Sequence, residues 1–139
     1  MIALDTDVLT LVLHGDPALT ARLAAVPAAD QTVPVVVFCE VLRGRLSAIR
    51  QAEAGKGKVS LAAAYDLLRR SVTDSRAYTL LSFTPAAEQL VTGWKRLKLR
   101  VGMQDQRIAA TCIVHGATLI TRNARDHAQL PGLTLDIWT

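Results

Sequence analysis

Short apolar runs alternating with helical stretches predict an α/β fold, with a mainly parallel central sheet flanked by helices. Three observations carry that reading. Ile2-Ala3-Leu4 is a short apolar run with a polar end, and it reads as a buried strand. The stretches between such runs carry helical spacing together with recognisable start and stop residues. Half of the 139 residues (50%) are hydrophobic but only 4% are aromatic, which is enough apolar mass for one core built of Ala, Val, Leu and Ile. Residues 1–139 therefore read as a single domain.

In chain order, the first strand ends in Asp5-Thr6-Asp7, and residues 8–13 continue as a helix stopped by Gly15. Asp16-Pro17 combines an N-cap with proline at the first helical position and opens a helix to about residue 26. Residues 32–35 form the second strand. A helix over 36–52 follows, with Val35, Phe38, Leu42, Leu46 and Ile49 at helical spacing, and Gly55-Lys56-Gly57-Lys58 breaks it. Residues 61–70 are helical and 79–83 are the third strand. Thr84-Pro85 then opens a long helix to about residue 99. Residues 105–115 are helical with Gly116 as the stop, 117–120 are the fourth strand, and 133–137 are the last.

Composition excludes several classes. The longest apolar run, residues 34–39, is far short of the roughly 20 residues that span a bilayer. The N-terminus lacks a basic region and is interrupted by two carboxylates, so it does not read as a signal peptide, and a cytoplasmic location is expected. Cys39 and Cys112 both sit in apolar sequence, where a buried thiol is the expectation. His14, His115 and His127 show no zinc-ligand spacing, and no nucleotide-binding glycine motif or hydrolase elbow is present. With 16 Lys and Arg against 12 Asp and Glu, the net charge of +4 is compatible with a polyanionic partner. The segment from Trp94 to Arg100 holds Lys95, Arg96, Lys98 and Arg100 beside a tryptophan. It reads either as a solvated helix face or as a phosphate-contacting stripe with a ring available for stacking.

The acids are the informative residues. Asp5 directly follows a strand, and Glu40 lies inside the apolar stretch 35–42. Asp105 opens a helix with Ile108, Ala109 and Cys112 at i+3, i+4 and i+7, which places it on the apolar face. A buried, unpaired carboxylate takes up a proton rather than stay charged. In a parallel sheet the carboxyl ends of the strands converge on one crevice. Carboxylates gathered there repel one another unless a hard cation neutralises them, and oxygen-only ligation selects Mg²⁺ or Mn²⁺.

Four segments match a known pattern in order. Leu4-Asp5-Thr6-Asp7-Val8-Leu9 resembles the opening motif of PIN-domain nucleases, and Glu40 to Gly44 resembles their ExxxG helix motif. Asp105-Gln106-Arg107-Ile108-Ala109-Ala110 resembles the DxxIAA motif, and residues 116–126 resemble the closing strand-and-turn element. The tail from Leu130 to Trp138 is similar to that of the VapC branch. The resemblance implies a PIN-like fold and a Mg²⁺-dependent endoribonuclease of the VapC toxin type. It also implies a homodimeric protein neutralised by a cognate VapB-like antitoxin. It makes Asp5, Glu40 and Asp105 metal-holding catalytic acids, with Asn123 or Asp126 completing the set. Asn123 stands where the family often has an acid, and His127 stands where it usually has Phe. Thr6, Asp7 and Thr121 are expected to support the acids. Arg43 and Arg107 are expected either to hold RNA phosphate or to pair with carboxylates, and Lys95 and Lys98 to extend the RNA track. Replacing Asp5 by Asn is expected to abolish cleavage and to leave stability unchanged or slightly raised.

Two rival readings follow from the same residues. Asp5 and Asp7 could serve as nucleophile and acid of a haloacid-dehalogenase-like phosphohydrolase, although Val8-Leu9 replaces the Gly-Thr usual there. Alternatively, the chain is a non-catalytic RNA- or partner-binding module of the same fold.

Overall fold

The computed structural model describes all 139 residues. Five strands, β1 (Ile2–Leu4), β2 (Gln31–Pro34), β3 (Thr79–Leu81), β4 (Thr118–Thr121) and β5 (Leu135–Ile137), form one sheet in the order β3-β2-β1-β4-β5. Every neighbouring pair is parallel. The connections are helical: α1 (Thr6–Leu13), α2 (Pro17–Ala24), α3 (Val35–Glu53), α4 (Leu61–Ser75), α5 (Pro85–Trp94) and α6 (Met103–His115). The chain steps outward from β1 to β2 and β3, then returns to lay β4 and β5 on the other side. β1 is therefore the point where the strand order reverses, and the crevice at its carboxyl end is where such sheets place their sites.

The helix starts use the chemistry legible in the sequence. Asp16 caps α2 by accepting the Leu19 N–H at 2.9 Å, and Thr84 caps α5 by accepting the Ala87 N–H at 3.2 Å. Gly116 ends α6 in the left-handed conformation at φ +68°, which a side chain would strain. The main core joins β1, β2 and β4 to α1, α2, α3 and α6 through Leu4, Val8, Leu19, Val33, Val37, Ile108 and Leu119. Each such side chain contributes about 1.5–3 kcal/mol on burial. A smaller cluster of Ala87, Val91, Trp94, Val101, Ala109, Ala110 and Leu130 seats α5 against α6.

Several expectations are corrected. α1 begins at Thr6, because Asp5 ends the strand and caps the helix at once by accepting the Thr6 N–H at 2.8 Å. α5 ends at Trp94 rather than near residue 99; a short 3₁₀ turn (Lys95–Leu97) follows, and Lys98 takes a left-handed conformation at φ 47°. The Trp94 ring is buried in the smaller cluster and offers no stacking face. Asp105 is the third residue of α6, not its first. Cys39 is exposed because its position on α3 turns away from the sheet, whereas Cys112 is buried.

Candidate active site

Asp5 leaves β1 at the switch point, and its backbone N–H bonds to the Ile120 carbonyl of the neighbouring strand at 2.9 Å. Three donors meet its side chain. The Thr6 N–H points at Oδ1, while the Thr121 hydroxyl at 2.8 Å and His127 Nε2 at 3.0 Å both point at Oδ2. Burial alone pushes the Asp5 carboxyl up. The His127 hydrogen bond and charge, followed by Thr121 and the Thr6 amide, outweigh burial and hold the group below the usual carboxylate range. His127 is raised in turn: burial lowers it, but the Asp5 bond and the charges of Asp5, Asp105 and Asp126 outweigh burial.

Glu40 enters from α3 and accepts a hydrogen bond from the Thr6 hydroxyl, so one turn of backbone at 5–6 holds two of the acids. Asp105 enters from the first turn of α6 and is half-buried. Its carboxyl is raised by burial first; His127 opposes that, and the charges of Asp5, Asp126 and Glu40 reinforce it. The four acids thus share one field. Asp7 is raised as well, by burial and by the Asp5 charge, although its Oδ1 accepts the Val8 N–H at 2.7 Å.

Asn123 and Asp126 are exposed on the turn after β4. Asn123 Oδ1 accepts the Arg125 N–H at 3.1 Å, and Nδ2 donates to Asp126 Oδ2 at 2.8 Å. Asn123 therefore shapes the turn and holds Asp126. Arg43 and Arg107 form no ion pair, the chain's pairs being Arg69 and Arg70 with Asp66, and His127 with Asp5. Arg107 instead donates to Gln104 at 2.5 Å. Val35, Val36, Cys39, Arg43, Phe83, Gln104 and Arg107 line an open groove along α3 and α6, the helices that carry Glu40 and Asp105. Through the shared Phe83 and Arg107 it runs into a second depression with Glu88, Val91, Thr92, Lys95 and Met103. Lys95 borders this path and Lys98 does not.

His127 is the contact that sequence reasoning missed. Its only signal was a polar ring at a position where the resembled motif carries an apolar one.

No three His, Cys, Asp or Glu side chains converge into a ready-made cation cage. The donors are all oxygens, and the mutual repulsion that lifts Asp105 is the kind a hard cation relieves. The set fits a divalent ion that keeps several of its own waters.

A five-stranded parallel sheet with acids gathered beyond the carboxyl end of its central strand defines an α/β protein built around an anionic cleft. Residues 2–133 match the family model described as PIN domain, and the chain belongs to that family. No curated protein matches the chain. Among solved structures, VapBC2 from Rickettsia felis bound to a promoter DNA fragment is 22% identical, with TM-score 0.74 and 100% of both chains covered. DNA-bound VapBC from Salmonella typhimurium is 18% identical, with TM-score 0.77 and 100% of both chains covered. A toxin–antitoxin complex from Klebsiella pneumoniae is 21% identical with TM-score 0.70, covering 100% of this chain and 97% of that one. At these identities the likeness is one of fold. Membership of the PIN family sets aside the haloacid-dehalogenase reading. No helix is long and apolar enough to cross a membrane.

Proposed function

We propose that residues 1–139 act as one divalent-metal-dependent endoribonuclease domain, a VapC-like toxin held in check by a VapB-like antitoxin. The observation that carries the reading is the shared field of Asp5, Glu40, Asp105 and Asp126 at the sheet's switch point. Asp5, Glu40 and Asp105 would hold Mg²⁺, or Mn²⁺ in its place, with Asp126 as the fourth acid. When bound, such an ion supplies an activated water and neutralises charge developing on the phosphate. The protein's own groups do the rest. Thr121 and His127 fix Asp5, Thr6 fixes Glu40, and Asn123 holds Asp126. Arg43, Arg107 and Lys95 line one continuous path and would neutralise backbone phosphates of a bound RNA. The antitoxin partner is supported by the company this fold keeps in the Rickettsia, Salmonella and Klebsiella complexes. A homodimer in the cytoplasm completes the reading, and light scattering at micromolar concentration tests the dimer. The deciding experiment measures RNA cleavage with Mg²⁺, with EDTA, and with p-nitrophenyl phosphate as alternative substrate. Cleavage confined to RNA with Mg²⁺ is expected. Absence of RNA cleavage would leave a binding module, and turnover of the small ester in place of RNA would overturn the ribonuclease reading.

A further inference from the structure

The Asp5 carboxylate is an acceptor only, so the ring nitrogen facing it at 3.0 Å has to donate: His127 carries a proton on Nε2 whatever its charge. The direction of the Thr121 hydroxyl is fixed too, because its oxygen accepts the Asn123 N–H at 3.1 Å and its proton therefore goes to Asp5 at 2.8 Å. Both donors land on the same oxygen, Oδ2, whereas Oδ1 receives the Thr6 N–H alone. A carboxylate oxygen has two lone-pair directions. Oδ2 is filled and Oδ1 is half-filled. His127 is only 2% exposed, and its Nδ1 has no partner. The ring is thus anchored by this one polar contact and by packing, with its backbone N–H bonded to the Ala124 carbonyl at 3.1 Å.

We infer that His127 is a positioning residue: with Thr121 it occupies Oδ2 of Asp5 and leaves Oδ1 as the oxygen Asp5 offers to a divalent cation. The inference rests on the proposed metal reading of Asp5. A phenylalanine at 127 would fill similar space without the donor, so Asp5 could turn or share both oxygens. Outer partners of this kind affect metal affinity by about 10–100-fold.

The test titrates metal-free protein with Mn²⁺ and follows free Mn²⁺ by electron paramagnetic resonance, with folding checked by circular dichroism. His127→Phe is expected to weaken binding about tenfold or more. His127→Gln, whose amide nitrogen reaches the same place as Nε2, is expected to keep affinity near wild type. Unchanged affinity in His127→Phe, or equal loss in two folded variants, overturns the inference. Independently of any variant's folding, the ¹⁵N spectrum of the wild-type imidazole is expected to show the proton on Nε2. A proton on Nδ1 alone overturns the inference. Asp5→Asn separates the two levels: Mn²⁺ binding that survives it overturns the metal reading and this inference together. Binding that depends on Asp5 but ignores His127→Phe overturns this inference alone.

Discussion

On the strand wall of the cleft, β1, β4 and the turn beyond present Asp5 with three hydrogen-bond donors, and its carboxyl is lowered. On the helix wall, Asp105 of α6 receives no hydrogen bond that would favour its charge, and its carboxyl is raised by burial and by three neighbouring acids. The same chemical group is stabilised as an anion on one wall and penalised on the other. The strand wall is furnished by the fold itself. On the helix wall the fold supplies only the opposing charge of His127, and the repulsion that remains is what the proposed divalent ion would relieve.

The sharpest way to break this contrast is to remove each charge in turn. Asp5→Asn and Asp105→Asn are both expected to lower Mg²⁺-dependent RNA cleavage by more than the roughly 100-fold that an outer-shell partner costs. Their melting temperatures in EDTA should move in opposite directions. Asp5→Asn turns an amide toward three donors and loses about 1–3 kcal/mol, which reverses the expectation of unchanged or raised stability drawn from sequence alone. Asp105→Asn relieves repulsion and should melt higher than wild type. The pH dependence separates them again. Because folding lowers the Asp5 carboxyl from 3.8, its stabilising contribution is present above that pH and is lost as pH falls further, so the deficit of Asp5→Asn closes only below 3.8. Because folding raises Asp105 above 3.8, wild type carries its penalty at neutral pH and sheds it as pH falls through the raised value. The advantage of Asp105→Asn should therefore close first. Parallel closure of the two gaps would refute the contrast.

The next effect is on binding. Lys95 borders the groove and Lys98 does not, so Lys95→Ala should flatten the salt dependence of RNA affinity by about 0.7 in log–log slope. Lys98→Ala should leave the slope unchanged. Equal slopes for all three proteins would remove this segment from the path.

The two thiols give a smaller readout of the same walls. Cys39 is exposed on α3 beside Glu40, while burial first, then the Asp5 charge, pushes the Cys112 thiol up to about 12. Iodoacetamide at pH 8 is expected to modify one cysteine of the folded protein, found by peptide mapping at Cys39. The smallest effect is at Gly44, one turn past Glu40, where an added Cβ would meet nothing within 4 Å. Gly44→Ala should stabilise the isolated chain by about 0.5–1 kcal/mol in denaturant titration.

The sheet was legible because its strands are short apolar runs between well-marked helix starts such as Asp16-Pro17 and Thr84-Pro85. The boundary of α5 was not, since the run Lys95 to Leu99 keeps helical residues after Trp94 has reached the end of its packing against α6. Asp5, Glu40 and Asp105 stood out as lone acids in apolar sequence. Their partners did not, because the bonds from Thr6 to Glu40 and from His127 to Asp5 join residues 34 and 122 positions apart. No local spacing encodes contacts that only the crossover of parallel strands creates.

Those separations also set an order in time. Asp5 is among the first residues made, and the side chains that fix it follow 116 and 122 positions later. A ribosome adding about 5–20 residues per second takes roughly 6–25 s to cover that distance. Until β4 is made, β1 lacks one of its two neighbours in the sheet, and Asp5 lacks both side-chain donors. A chain cut short before β4 carries Asp5, Glu40 and Asp105 but no cleft in which to hold them. A copy terminated before β4 is therefore expected to lack whatever chemistry the acids perform.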